Sequence, residues 1–255
     1  MINLTICLFQ YTDSLLDKIK TQKLNSIEIL TNTKNFTTAA EFYNDCITSA
    51  KGKYITFVDD SDVFSADYFK ILYLRAEQDS SDICKGTIYC SSMKKNIDTS
   101  KYTYIQPQFG TLYRVQFLVD NHITFETDNL DFSFYCTFLA KTITISKSAV
   151  YTHNGFRDLE NKIRLSKDEC FRFLRFFWSA HNFLFLSNIS ENIYLKVVYD
   201  LLNNFVLKII EKTKITPEVH DELLPFCIFM YRSIVYTNTE ISEVMNEIKN
   251  KCQAI

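Results

Sequence analysis

Glycine and proline are scarce in this chain, four and three residues out of 255. So few glycines leave no room for the Gly-rich loops that cradle phosphates, and none of the common forms occurs. No run of 18 apolar residues exists, which excludes a conventional membrane span. Charge of one sign is also missing. The formal net charge is -2, so there is no basic stripe of the kind that binds nucleic acid. No basic-then-apolar leader opens the chain, because Asn3, Gln10 and Asp13 come too early, and no export signal is expected. The eight cysteines are scattered, without a CxxC spacing, so they read as buried thiols of a reducing compartment rather than zinc ligands.

What is present is a core-rich chain, 47% hydrophobic, 23% charged and heavy in Phe and Tyr, as a globular domain requires. Leu4 to Phe9 reads as a strand, Tyr11 to Lys23 as a helix with Leu15, Leu16 and Ile19 on one face, and Ile27 to Leu30 as a second strand. Thr38 followed by Glu41 is a capping box for a helix that buries Ala39, Ala40, Tyr43 and Ile47, with Gly52 as its stop signal. Tyr54 to Val58 is a buried strand. This rhythm predicts an α/β domain with a mostly parallel central sheet and helices on both faces. Further on, Ser65 caps a helix from Ala66 to Gln78, and strand character resumes at Asp82 to Tyr89. Ser91 to Gln108 reads as a polar loop with at most an edge hairpin, holding Lys94 and Lys95 as a solvated lid. A short helix is expected over Leu112 to Val119, a brief strand over Ile123 to Phe125 and a buried helix over Leu130 to Ala140. Thr142 to Ile145 and Ala149 to Tyr151 close the sheet.

The pattern changes near Arg157. Long helical periods follow, at Lys167 to Leu186, Ile193 to Glu211, Pro217 to Tyr236 and Glu240 to Cys252. Residues 1-156 are therefore expected to form the α/β domain and 157-255 a helical subdomain. The aromatic runs at 171-178 and 182-186 are read as core, with an oligomer interface or a shallow membrane-facing surface as the alternatives.

The chemistry concentrates at one place. The strand ending at Val58 runs into Asp59, Asp60 and Asp62, carboxylates that repel one another unless a cation or hydrogen-bond donors compensate. Such a cluster at a strand's carboxyl end marks the crevice of an α/β sheet, or else a solvated turn. Upstream stand Asn44, Ala50 and Gly52; downstream stand Arg114, Asn121 to Phe125, Asp131 and Tyr151-Thr152-His153. In order and spacing these residues resemble the inverting glycosyltransferases of family 2, across residues 1 to about 155.

That resemblance implies a GT-A-like fold for nucleotide-diphospho-sugar transferases, followed by the C-terminal helical region. It implies transfer of a sugar from a nucleotide-linked donor, UDP the expected nucleotide, to a hydroxyl of a surface polysaccharide or lipid-linked glycan. It also implies a divalent cofactor, Mn²⁺ or Mg²⁺, held by Asp59, Asp62 and His153, with Asp60-Ser61-Asp62 as the triplet if the register slides by one. Asp131 is the expected general base; as a bare sequence feature it reads as a helix cap. Gln10, Thr31, Asn32, Asn44, Asp59, Asp60, Arg114 and His153 are the candidates for the donor and its diphosphate. Two departures stand out. The second strand ends in Leu30-Thr31-Asn32-Thr33 without the family's paired acids, and Ser61 occupies the place of a second metal acid. They keep open an atypical donor or a non-catalytic domain acting as scaffold. The expected partners are the donor, a glycan or glycolipid acceptor and, through the C-terminal helices, a second copy or the membrane surface. The expected location is the cytoplasm, or the cytoplasmic face of the inner membrane.

Overall fold

The computed structural model describes residues 2-90, 95-97, 108-126, 129-153, 167-187, 189-202 and 239-253. The chain divides into two compact units, Met1–Arg157 and Asp158–Ile255.

In the first unit the elements are β1 (Ile2–Leu8), α1 (Asp13–Lys20), β2 (Ile27–Thr31), α2 (Ala39–Ser49), β3 (Gly52–Phe57), β4 (Val63–Phe64), α3 (Tyr68–Gln78) and β5 (Ile83–Cys90). They continue with β6 (Lys95–Ile97), β7 (Thr111–Arg114), α4 (Val115–Asp120), α5 (Asn129–Leu139) and β8 (Ile143–His153). The strands form one sheet in the order β2-β1-β3-β7-β5-β8-β4, with β6 paired to β5. β1 lies parallel to β2 and β3, and β5 parallel to β8. β7 is inserted antiparallel between β3 and β5, and β4 runs antiparallel to β8. The sheet is thus mixed, where a mostly parallel one was expected. Apolar runs mark strands, but direction is decided by whichever partner the chain returns to.

Side chains alternate between two faces along each strand, as the pleat requires. Leu4, Ile6, Leu8, Tyr54 and Val58 pack with α1 and α3. Cys7, Ile55 and Phe57 pack with α2, α4 and α5. The Thr38–Glu41 capping box forms as expected and starts α2 by satisfying two orphan donors. Gly52 serves a different purpose from the one the sequence suggested. It opens β3 rather than stopping α2, and a Cβ there would lie 2.5 Å from the backbone nitrogen of Thr5 on β1. Ser65 is not a side-chain cap; Asp67 precedes α3 without capping it, and the Ser65 carbonyl accepts from Tyr68 N at 3.1 Å. Ile123 to Phe125 is not a strand. The two expected closing strands are one, β8, with an irregularity opposite Gly86 and Thr87.

In the second unit, α6 (Lys167–Leu186), α7 (Glu191–Leu201) and α8 (Thr239–Gln253) are helical. Phe177, Ala180 and Leu184 of α6, Val197, Val198 and Leu201 of α7 and Ile248 of α8 are buried. The helix expected at Pro217 to Tyr236 lies outside the described residues, as does most of Ser91 to Gln108. Among the described residues no helix is long and apolar enough to cross a membrane.

Candidate active site

The acidic stretch folds as a tight turn after β3, and its three carboxylates have three different environments. Asp62 is fully buried. Its Oδ2 accepts from the backbone N–H of Asp59 at 2.9 Å and from the hydroxyl of Tyr151 at 2.5 Å. Its own N–H donates to the Asp59 carbonyl at 3.1 Å. Asp59 is half-buried, and its Oδ1 accepts from the backbone N–H and hydroxyl of Ser61 at 3.2 and 3.0 Å. Asp60, also half-buried, accepts through Oδ1 from Thr12 N at 2.7 Å. Thr12 is the N-cap of α1, so a helix N-terminus helps to neutralise this carboxylate. The repulsion between adjacent acids is answered by donors from the backbone, from Ser61 and from Tyr151.

Tyr151 anchors the turn from below. Its ring stacks on Phe64 at 5.6 Å and tilts against Tyr68 at 5.2 Å. Above it passes Gly110, at φ +64°, where a Cβ would come within 2.6 Å of the Tyr151 ring. The Tyr68 hydroxyl donates to the Gly110 carbonyl at 2.5 Å. Burial, and then the Asp62 charge, push the Tyr151 hydroxyl well up, so it remains a proton donor at any ordinary pH. Sequence reasoning placed Tyr151 in a motif but gave it no task. The one available signal was a tyrosine two positions before His153, on a strand that has to close the sheet.

β4 follows the turn directly and pairs with the end of β8, Val63 with Thr152. His153 is the next residue of β8 after Thr152. The His153 backbone pairs with Cys90; its side chain lies outside the described groups. Asp131 arrives from another direction. It occupies the first turn of α5 and is only 2% exposed. The next residue, Phe132, stacks on Phe125 at 4.0 Å and meets Phe57 edge-on at 5.6 Å. Phe57 is two residues before Asp59, so the first turn of α5 is brought to the same end of β3 as the acidic turn.

The other candidates lie on several elements of the first unit. Asn44 on α2 forms a two-way clamp with the backbone of Phe125: Nδ2 donates to its carbonyl and Oδ1 accepts from its N–H, both at 2.8 Å. It thereby holds the segment that leads into α5. Asn32 clamps Phe36 in the same way, at 2.8 and 3.0 Å. Thr31 is the last residue of β2, its carbonyl accepting from Thr33 N at 2.7 Å. Gln10 is exposed just beyond β1. Arg114 departs most from expectation. It pairs with Tyr54 near the start of β3, the far end from Asp59, and its guanidinium binds the buried carboxylate of Asp82. Asp82 also accepts from Lys141 N at 2.8 Å and Thr142 N at 3.2 Å. Arg114 thus links β7 to the residue that opens β5, at the opposite end of β3 from Asp59.

The fit to a divalent cation follows from these contacts. Asp62 is shut off from solvent and uses Oδ2 to accept from Asp59 N and Tyr151. Asp59 uses Oδ1 inside the turn and Asp60 uses Oδ1 on Thr12 N, which leaves the Oδ2 of each outside these bonds. Two carboxylate oxygens at a strand end suit a hard cation that takes its remaining ligands from phosphate and water. Among the described residues no group of three or more His, Cys, Asp or Glu stands close enough to hold a metal unaided.

Comparisons with known proteins agree with this architecture. Residues 10–142, just over half of the chain, match the family described as glycosyl transferase family 2. Among solved structures, the crystal structure of Staphylococcus aureus TarS 1-349 superposes with a TM-score of 0.73 at 12% identity, covering 98% of this chain and 88% of that one. The complex of the same TarS fragment with UDP-GlcNAc superposes at 0.72, also at 12% identity, covering 99% and 88%; that with UDP gives 0.71 at 12%, covering 98% and 88%. The shared fold is the GT-A-like one, with C-terminal helices. Curated protein sequences offer no match.

Proposed function

Because the chain belongs to glycosyl transferase family 2 and is a glycosyltransferase, we propose that it transfers a sugar from a uridine diphosphate donor to a hydroxyl of a surface polysaccharide or lipid-linked glycan, inverting the anomeric centre. The observation that carries this reading is the convergence of Asp59, Asp60 and the first turn of α5, with Asp131, at the carboxyl end of β3. The TarS complexes with UDP and UDP-GlcNAc, on a fold this chain shares, support the choice of nucleotide.

Negative charge builds on the diphosphate as the glycosidic bond breaks. Asp59 and Asp60, through their Oδ2 atoms, are the groups to hold Mn²⁺ or Mg²⁺; such an ion, when bound, offsets that charge. Asp62 and Tyr151 fix the turn that carries both carboxylates. His153 is assigned to the diphosphate on its place in the Tyr151-Thr152-His153 motif. Asp131 takes the proton of the acceptor hydroxyl as its oxygen attacks the anomeric carbon on the side opposite the departing diphosphate. A lipid-linked acceptor places this work at the cytoplasmic face of a membrane.

The test is a panel of nucleotide sugars with Mn²⁺, read by thermal shift, since a ligand bound only by the folded state raises apparent stability. A uridine diphosphate sugar is expected to raise the melting temperature of both the wild type and Asp131→Asn, while only the wild type turns the donor over with acceptor. Unchanged turnover in Asp131→Asn would remove it as the base. No shift with any uridine nucleotide would overturn the donor assignment.

A further inference from the structure

Among the described residues of the first unit two glutamines are buried, Gln22 and Gln108. Gln22, just after α1, has both ends of its amide bonded: Nε2 donates to the Ser65 carbonyl at 3.0 Å and Oε1 accepts from Phe69 N at 3.4 Å. Gln108 is only 1% exposed, and its Nε2 has no hydrogen-bond partner among the described residues. A buried donor without an acceptor is costly and rare in native structures, and a missing ligand, ion or water is a usual reason for one.

The place of Gln108 in the fold narrows that reason. β7 runs antiparallel to β3, with Tyr54 opposite Arg114 and Ile55 opposite Tyr113, so the chain leading into β7 lies at the carboxyl end of β3. There Phe109 bridges to Phe57, and Gly110 N donates to the Phe57 carbonyl at 3.2 Å. Gln108 immediately precedes Phe109, and Phe57 is two residues before Asp59. Gly110 lies against the ring of Tyr151, whose hydroxyl donates to Asp62. Gln108 thus borders the acidic turn on its β7 side. The first turn of α5 comes to the same side, since Phe132, next to Asp131, meets the Tyr113 ring of β7 at 5.0 Å.

We propose that Gln108 is a specificity-determining residue for the donor sugar, its side-chain N–H donating to a hydroxyl or amide carbonyl oxygen of that sugar. The assignment rests on the function proposed above. In that reading the diphosphate is held at the acidic turn and the attacking hydroxyl stands at Asp131. The anomeric carbon has to lie between the departing phosphate and the attacking oxygen, which places the transferred sugar on the β7 side of β3, where Gln108 is. A neutral amide suits this partner, because it recognises an uncharged oxygen and adds no charge beside three carboxylates. It also discriminates: a sugar lacking the matching oxygen leaves the buried donor unpaired. The nucleoside lies beyond the diphosphate from this sugar, so binding of the nucleotide alone does not depend on Gln108.

The experiment is calorimetric titration of the full chain with UDP, UDP-glucose and UDP-N-acetylglucosamine in the presence of Mn²⁺, wild type against Gln108→Met, an unbranched side chain of similar size. Gln108→Met is expected to bind UDP as the wild type does. It is expected to bind the tighter of the two sugar nucleotides about three- to tenfold more weakly, the loss of one neutral hydrogen bond. Without ligand it should melt at or above the wild-type temperature, because the substitution removes an unpaired buried donor. A lower melting temperature would reveal a structural partner for the amide and overturn the proposal. Equal weakening of UDP and sugar nucleotide, or wild-type affinity for all three, would do the same while leaving the transferase reading intact. Failure of the wild type to bind UDP at all would instead refute that reading, and this assignment with it.

Discussion

Tyr151→Phe removes one oxygen from the foundation of the acidic turn and little else. The ring, with its stack on Phe64 and tilt against Tyr68, remains in place, so apolar burial is unchanged. What is lost is a buried hydrogen bond of 2.5 Å to the Asp62 carboxylate. Hydrogen bonds to charged groups are worth about 1.5–3 kcal/mol, and Asp62 keeps the Asp59 N–H as a donor, so about 2 kcal/mol is expected. For a unit of this size that lowers the melting temperature by about 4–8 °C. The functional consequence is distinct. With Asp62 less firmly held, Asp59 and Asp60 are less well placed, and more Mn²⁺ is needed for half-maximal turnover. Asp59→Asn and Asp60→Asn provide the contrast, raising the Mn²⁺ requirement with little change in melting temperature. Thermal melts and Mn²⁺ titrations of all three variants make the comparison. If Tyr151→Phe melts with the wild type, Asp62 is not held by this bond and the division into supporting and ligating carboxylates is wrong.

Three further expectations follow from the same contacts. Asn44→Ala removes both bonds to Phe125, costing about 2 kcal/mol; turnover should fall while donor binding, measured by thermal shift, persists, because the displaced segment leads to Asp131 and not to Asp59. Arg114→Met leaves the Asp82 carboxylate with backbone donors alone, and should destabilise by about 2 kcal/mol without changing the KM for the donor, which would rise if Arg114 touched the diphosphate. Lys85, 5% exposed, is pushed down to about 8 by burial, whereas in the unfolded chain it titrates at about 10.5. The unfolded state therefore binds the extra proton between pH 8 and 10.5, so this lysine contributes a rise in stability with pH across that window. The difference in melting temperature between Lys85→Met and wild type should shrink as pH rises from 8 to 10.5; a constant difference would refute it.

Local chemistry was legible before any fold was known. The Thr38–Glu41 box, the apolar runs Leu4 to Leu8 and Tyr54 to Val58, and α6 from Lys167 to Leu186 are all legible within a few residues. The acidic turn itself was legible, because three carboxylates after an apolar strand demand compensation wherever they stand. What compensates them was not. Asp60 is answered by Thr12, Asp62 by Tyr151, and Arg114 spends its charge on Asp82; these partners are 48, 89 and 32 residues apart. Sequence alone thus determined which residue types this protein brings to the end of β3. Only the tertiary structure decided which donors answer each carboxylate. It did so because a side chain's role depends on the donors that packing brings to it, and the sheet places β7 and β8 where no local rule can.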